Sequence, residues 1–121
     1  WHTVTDVVEM DPHEFEKKSL GRINMPDDIV VRYRSPYFRH IFAGGYSAGY
    51  YSYVWAEVLD ADAFQAFKET GNIFDQKTAA AFRENVLEKG GTVEPMELYK
   101  NFRGSEPGIE ALLERKGMTQ P

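Results

Sequence analysis

The segment from residue 40 to residue 53 concentrates side chains that can bind and polarise a ligand. It contains His40, the adjacent glycines Gly44 and Gly45, and then four tyrosines within eight residues. A tyrosine hydroxyl donates a hydrogen bond while remaining uncharged. Glycine, which lacks Cβ, lets the backbone approach a ligand closely or adopt a positive φ angle. The pattern indicates a flexible loop followed by a row of neutral hydrogen-bond donors.

Three of these tyrosines, Tyr46, Tyr50 and Tyr53, lie at positions i, i+4 and i+7. If a helix begins near Ser47, their hydroxyls point from one face. An aromatic row at helical spacing is more often part of a core, which is the alternative interpretation. Buried tyrosine hydroxyls need partners, however, and several on one face are hard to satisfy in a small core. A single histidine such as His40 is likewise more often a structural hydrogen-bonding residue than a catalyst.

The remainder of the sequence predicts an all-α fold of several short helices with one irregular Gly-Gly/Tyr loop. Asp11 and Pro12 form a helix start, and Gly21 is expected to end that helix in a left-handed turn. Residues 32–42 show no clear helical period, and the stretch 32–46 is expected to be irregular. The later predicted helices cover residues 47–71, 75–89, 95–104 and 105–117.

Apolar spacing also predicts which face each helix buries. The expected stripe of the long helix is Trp55, Leu59, Ala63, Ala66 and Phe67. For the three helices that follow, the expected inward residues are Ala79, Phe82 and Val86, then Leu98, Tyr99 and Phe102, and finally Ile109, Leu112 and Leu113.

Composition excludes several classes of function. The 121 residues, 42% of them hydrophobic, suffice for one domain. A net charge of −5 disfavours general nucleic-acid binding. No apolar run approaches the roughly 20 residues of a membrane span, so no membrane partner is expected. The sequence has no cysteine, no His-Glu-x-x-His, and only His2, His13 and His40 as histidines, without ligand spacing. We therefore expect no metal ligand within this chain.

The string from His40 to Tyr53, continuing to Trp55, resembles a loop and helix of the thimet oligopeptidase family of zinc metallopeptidases. The likeness extends weakly through Arg103-Gly104 and the stretch 112–117, so that it covers most of the chain. Its specificity lies in residues 32–55. The resemblance implies that residues 1–121 are a carboxy-terminal fragment of the catalytic domain of a larger helical peptidase, closest to bacterial peptidyl-dipeptidase Dcp and oligopeptidase A.

In that family a His-Glu-x-x-His helix and a downstream glutamate hold zinc, and the glutamate of the motif activates a water molecule. The resemblance implies that His40, Tyr46 and Tyr53 contact the substrate carbonyl and backbone from a loop that covers the channel. Gly44, Gly45 and Tyr50 are the accompanying candidates for substrate binding. We therefore expect zinc in the complete enzyme, and an isolated chain that lacks zinc and is inactive.

The upstream string Arg32-Tyr33-Arg34-Ser35-x-Tyr37-Phe38 resembles the peptidyl-dipeptidase branch, whose members release dipeptides from a free carboxy terminus. Arginine can hold a terminal carboxylate with two parallel hydrogen bonds, and Arg32, Arg34 and Arg39 are the candidates. The alternative is that each arginine is an ordinary surface or interdomain charge.

Three readings of function remain open at this stage. The leading one is a peptidyl-dipeptidase fragment whose partners are short peptides and the remainder of the peptidase chain. The alternatives are an oligopeptidase A-type endopeptidase and a non-catalytic helical module, either binding peptides or serving as an interaction domain with an aromatic core. The sequence does not fix the compartment; the bacterial cytoplasm is expected, with the periplasm as the alternative.

Overall fold

The computed structural model describes residues 3, 5, 6 and 9–119, and His2 lies outside them. Six α-helices, one 3-10 turn and one π-helical segment make up its regular structure, and no strand occurs in this part of the chain. The predicted all-α class is therefore confirmed. The chain divides into two compact units, Trp1–Tyr51 and Ser52–Pro121.

The first unit begins its regular structure with helix α1, Pro12–Gly21. Asp11 caps it as predicted, because its carboxylate accepts hydrogen bonds from the amides of His13 at 2.7 Å and Glu14 at 3.2 Å. Gly21 is the last helical residue, but it does not adopt the left-handed conformation that the sequence predicted. Asn24 does so instead, with φ of 56°. The left-handed turn thus falls three residues later than expected.

Two short helical turns occupy a stretch that was expected to be irregular. A 3-10 turn spans Ser35–Tyr37, and helix α2 spans Arg39–Phe42. Phe38 joins them, since its amide donates to the carbonyl of Ser35 at 3.3 Å and its carbonyl accepts from Ile41 at 3.2 Å. The backbone at Phe38 is therefore fixed from both sides.

Residues 43–51 form a bend and consecutive turns, and the long helix α3 begins only at Ser52, spanning Ser52–Glu69. The predicted start near Ser47 was wrong. Ala48 is left-handed, with φ of 54°, which interrupts any helix there. Tyr46 and Tyr50 consequently lie in turns, whereas Tyr53 lies on the first turn of α3. The three tyrosines do not share one helical face.

The second unit contains α3 and the three remaining α-helices. Helix α4 spans Gln76–Phe82 and continues as a π-helical segment, Arg83–Leu87. Helix α5 spans Pro95–Arg103 and ends, as predicted, at left-handed Gly104. Helix α6 spans Glu110–Arg115 and so begins five residues later than the predicted start at Ser105. No helix in the described residues is long and apolar enough to cross a membrane.

The core of the second unit lies where α3 meets α6. Val58, Ala61 and Leu112 are buried there, with Ala111 packed against them. The predicted stripe of α3 is not its most buried face: Trp55 is 46% exposed and Leu59 is half-buried. Ile109, predicted to face inward, is also exposed. The prediction was wrong for Trp55 because α3 carries apolar residues around most of its circumference, so that spacing alone does not single out one buried face.

Aromatic packing joins α3, α4 and α5. The rings of Phe67, Phe82 and Phe102 lie within 6.5 Å of one another, and Phe82 meets Phe102 edge-on at 5.1 Å. The inward direction predicted for Phe67, Phe82 and Phe102 is confirmed. Leu98 and Tyr99 are buried, again as predicted.

A polar network links α3 to α5 and was not foreseen from the sequence. The Tyr99 hydroxyl donates to the buried carboxylate of Asp62, and Arg103 Nε lies 3.3 Å from the same carboxylate. The remaining guanidinium nitrogens of Arg103 each bond Glu69 at 2.7 Å. Burial and the bond to Asp62 raise the pKa of Tyr99 above its usual value. The network fixes the orientation of α3 and therefore of the residues on its first turn.

Candidate functional site

The imidazole of His40 lies within a cluster of aromatic rings in the first unit. The side chain is carried by the short helix α2 and is half-buried. Its ring centroid lies 5.7 Å from that of Tyr33, 6.3 Å from Phe38, 6.0 Å from Tyr46 and 5.8 Å from Tyr50. Ring contacts from both sides along the chain, upstream and downstream, thus hold the histidine in place.

The ring of Tyr50 contacts three other members of the cluster, including His40. It meets Phe38 edge-on, with 4.7 Å between centroids and an angle of 84°, and it meets Tyr46 at 6.4 Å and 80°. Edge-to-face pairs of this kind contribute about 0.5–1.5 kcal/mol each beyond the area that they bury. Tyr46 is 38% exposed, so one of the candidate donors is accessible to a ligand. The structure therefore brings together His40, Tyr46 and Tyr50.

The two glycines of the loop occupy different surroundings. A Cβ on Gly44 would lie 3.1 Å from the carbonyl oxygen of His40, whereas a Cβ on Gly45 would meet nothing within 4 Å. Neither glycine has a positive φ angle; in this loop that conformation belongs to Ala48. The sequence suggested that these glycines permit either a positive φ angle or a close approach of the backbone to a ligand. The structure shows a close approach at Gly44, but the neighbouring group is the backbone carbonyl of His40.

The third candidate donor, Tyr53, belongs to the second unit. It lies on the first turn of α3 and is 46% exposed. Pairs between α3 and α6 hold that helix: Arg115 lies 2.6 Å from Asp60, and Lys116 lies 2.9 Å from Glu57. The candidate donors are thus carried by two separate units, a short loop cluster and the start of an anchored helix.

The arginines predicted as carboxylate ligands differ in their contacts. Arg34 Nη1 lies 2.8 Å from Nδ1 of His13, and this pair lines a cavity of about 270 Å³ beside α1. Because a guanidinium can only donate, the imidazole nitrogen accepts. Arg32 is exposed, with its guanidinium carbon 5.3 Å from the centroid of the Tyr33 ring. Arg39 is also exposed.

Glu16 anchors the same stretch to α1. Its carboxylate accepts a hydrogen bond from the amide of Ser35. Partial burial raises the pKa of Glu16, but the hydrogen bond from Ser35 and the nearby charge of Arg34 outweigh this effect and hold that pKa below its usual value. Arg34 therefore already has a structural role, in holding residues 34–35 against α1.

The described residues do not fit a metal centre. No group of three or more histidine, cysteine, aspartate or glutamate side chains that could hold an ion occurs among them. His13 bonds Arg34 and His40 lies among aromatic rings, while His2 falls outside the described part.

Two members of the ring cluster, Tyr33 and Phe38, entered the sequence interpretation only as part of the string that resembles the peptidyl-dipeptidase branch, and neither was named as a site residue. The signal that could have identified them as site residues is the aromatic excess in residues 33–55, of which only the tyrosines after the glycine pair were considered for the site. Their ring contacts join residues two to twelve positions apart, and such contacts cannot be inferred from spacing when the intervening backbone is irregular.

Comparison with known proteins identifies a family. A family model described as Peptidase family M3 matches residues 2–118. Oligopeptidase A from Escherichia coli (strain K12) is 58% identical over 81 residues, which are 67% of this chain and 12% of that protein. Dipeptidyl carboxypeptidase from Escherichia coli (strain K12) is 39% identical over 120 residues, which are 98% of this chain and 18% of that protein. The probable cytosolic oligopeptidase A of Arabidopsis thaliana is 52% identical over 85 residues, covering 67% of this chain and 12% of its own length. The chain spans less than a fifth of the length of these curated relatives.

Proposed function

Since the chain belongs to peptidase family M3, we propose that it is the carboxy-terminal part of a zinc metallopeptidase catalytic domain that hydrolyses short peptides. In this proposal the chain contributes the substrate-binding and transition-state-stabilising loop. The observation that carries it is the contact of the His40 ring with those of Tyr46 and Tyr50, in a segment that matches the family. Its partners are short peptides and the remainder of the peptidase chain, in the bacterial cytoplasm or the periplasm.

The proposed chemistry follows from the charge that peptide hydrolysis generates. When the carbonyl carbon of a peptide is attacked, negative charge develops on its oxygen. The hydroxyls of Tyr46 and Tyr53 are neutral donors that can meet this charge, and His40 can hydrogen-bond the substrate backbone. Removing one donor of this type typically lowers kcat by about 10²–10³. Gly44 and Gly45 lie in the turn that carries Tyr46, and they allow the loop to close over bound peptide.

We propose that zinc is held by another part of the complete enzyme, since the residues that the structure describes include no group that fits a zinc site. We propose that the isolated chain binds no zinc and does not cleave peptides. Elemental analysis of the purified, dialysed chain tests this, together with a peptidase assay. Stoichiometric zinc with peptidase activity would contradict the proposal.

We further propose the peptidyl-dipeptidase branch, in which a cation holds the terminal carboxylate of the substrate. The alignment with dipeptidyl carboxypeptidase over 98% of the chain supports this branch. Between Arg32 and Arg34, Arg32 is the better candidate, because it is exposed and its guanidinium lies over the ring of Tyr33. Arg34 would have to leave His13 before it could bind a substrate.

The second candidate is an oligopeptidase A-type endopeptidase, and the identity of 58% to that enzyme from Escherichia coli favours it. Free-acid and amide forms of one short peptide distinguish the two when the complete enzyme is assayed and the cut is located by mass. A carboxylate-binding site predicts a loss of kcat/KM for the amide of roughly 30-fold to several thousand-fold, because one partner of a charge pair is removed. Equal rates, or cleavage well inside longer peptides, would move the protein to the endopeptidase branch.

Variants then test which arginine is responsible. Arg32→Ala is expected to abolish the preference for the free acid, and Arg34→Ala is expected to retain it. The reverse result would assign the carboxylate to Arg34, and an unchanged preference in both variants would return both residues to structural or surface roles.

A further inference from the structure

The aromatic residues upstream of His40 form a platform with no role in the proposed chemistry. This platform consists of Tyr33 and Phe38, whose ring centroids lie 5.2 Å apart. Both rings contact the imidazole of His40, and Phe38 also contacts Tyr50 in the shortest ring pair of the cluster. The platform therefore contacts two residues of the candidate site, His40 and Tyr50. Its residues precede His40 in the sequence, whereas Tyr46 follows it.

The backbone makes Phe38 a rigid support. It stands between the 3-10 turn Ser35–Tyr37 and helix α2, and it is hydrogen-bonded to residues on both sides. The amide of Ser35, at the start of that turn, is bonded to Glu16 on α1. A residue fixed in this way can transmit the position of α1 to the ring of His40.

The loop on the other side of His40 is rich in glycine. Tyr46 lies in a run of turns that contains Gly44, Gly45 and Gly49. Glycine permits more backbone conformations than any other residue. The imidazole thus has two neighbour surfaces: the platform, which is built on two short helical turns, and the loop, which is built on a glycine-rich run of turns.

We infer that Phe38, supported by Tyr33, is a positioning residue that orients His40 and Tyr50 for the reaction. The inference rests on the proposed function, and it deepens that function by assigning a role to residues outside the loop. Phe38 itself need not contact substrate, because it acts through the rings that it touches. Misplacement of a reacting group by about 1 Å can lower the rate about 100-fold, even when the altered residue is not at the reacting centre.

The test uses Phe38→Leu in the complete peptidase, with Phe42→Leu as the matched control. The substitution at Phe42, which lies on α2, replaces the same side chain with leucine, but Phe42 is exposed and lies outside the cluster. Phe38→Leu is expected to lower kcat about 100-fold with little change in KM, whereas Phe42→Leu leaves both nearly unchanged. Phe38→Tyr keeps a ring at this position and is expected to recover most of the activity.

A double-variant cycle separates positioning from a general loss of structure. If Phe38 acts through His40, then Phe38→Leu has little further effect on kcat in a His40→Ala background. Independent losses that multiply in the double variant would overturn the inference. An unchanged kcat in folded Phe38→Leu would also overturn it.

Nuclear magnetic resonance on the 121-residue chain tests the positioning role separately from the proposed function, because it requires no peptidase activity. Loss of the Phe38 ring is expected to shift the ring-proton resonances of His40 and Tyr50, while Phe42→Leu leaves them in place. Unchanged resonances in the Phe38 variant would contradict the positioning role. If His40→Ala leaves kcat unchanged in the enzyme while these resonances do move, the proposed function fails and the structural relationship stands. Should Phe38→Leu fail to fold, Tyr33→Leu removes the other ring of the platform and is judged by the same outcomes.

Discussion

The carbonyl oxygen of His40 lies close to Gly44, because a Cβ atom added to Gly44 would lie only 3.1 Å from that oxygen. Few real Cβ atoms approach a backbone oxygen so closely, and a carbonyl within a helical turn cannot rotate away freely. The neighbouring Gly45 faces open space. A side chain would therefore be tolerated at Gly45 but not easily at Gly44. The close approach at Gly44 couples the position of the loop to that of His40.

Alanine at each of these positions separates the two roles. Gly44→Ala is expected to push against the carbonyl of His40, displace the imidazole, and lower kcat/KM of the complete peptidase by about tenfold to 100-fold. Gly45→Ala meets no atom, and its effect is expected to remain within a few-fold. Steady-state kinetics of both variants measures the difference. Equal losses would mean that loop flexibility, rather than the contact with His40, is what the glycines provide.

The ion pairs of α3 offer a comparison of buried and exposed charge. Asp62→Ala removes the acceptor of Tyr99 and one partner of Arg103, and it is expected to lower the free energy of unfolding by about 1.5–3 kcal/mol. Asp60→Ala removes an exposed pair with Arg115 and is expected to cost at most about 1 kcal/mol. Urea unfolding of the chain, followed by circular dichroism, measures both. Similar losses for the two variants would contradict the importance of the Asp62 network.

Alkaline pH should weaken the same network through Tyr99. Its pKa is raised in the folded state, so the folded form holds the phenolic proton more tightly than the unfolded chain. This contribution to stability is fully present below the usual tyrosine pKa of about 10 and is lost as the pH rises above it. The loss amounts to about 1.4 kcal/mol for each pH unit until the folded form itself ionises.

Tyr99→Phe isolates this effect from the other groups that titrate at high pH. Unfolding measured near about pH 8 and about pH 11 is expected to show a larger loss of stability in the native sequence than in the variant. The same slope with pH in both proteins would show that Tyr99 ionises as freely in the folded chain as in the unfolded one.

Local signals in the sequence were sufficient for much of the helical framework. Asp11, Pro95 and Gly104 act at helix ends through contacts with residues a few positions away, so their roles could be predicted. The start of α3 could not, because the decisive feature is the left-handed conformation of Ala48, a residue that ordinarily favours helix. Because the helix was predicted to begin near Ser47, Tyr46, Tyr50 and Tyr53 were wrongly placed on one helical face.

The site was predictable to the extent that its residues are neighbours in sequence. His40, Tyr46 and Tyr50 were named together, and their rings do meet. Asp62 and Tyr99, which are 37 residues apart, were not linked in advance. Their contact depends on how α3 and α5 pack, and no local pattern encodes that packing.

The central claim is that Tyr46 and Tyr53 donate hydrogen bonds to charge that develops during peptide hydrolysis, and removing their hydroxyls tests it most directly. Tyr51→Phe is the matched control, because Tyr51 lies between them in sequence and is 73% exposed. In the complete peptidase, Tyr46→Phe and Tyr53→Phe are each expected to lower kcat by about 10²–10³ while changing KM much less. Tyr51→Phe should leave both constants nearly unchanged. If Tyr46→Phe and Tyr53→Phe both keep kcat within about twofold, far less than the loss such a donor normally causes, these tyrosines are not the donors and the account is contradicted.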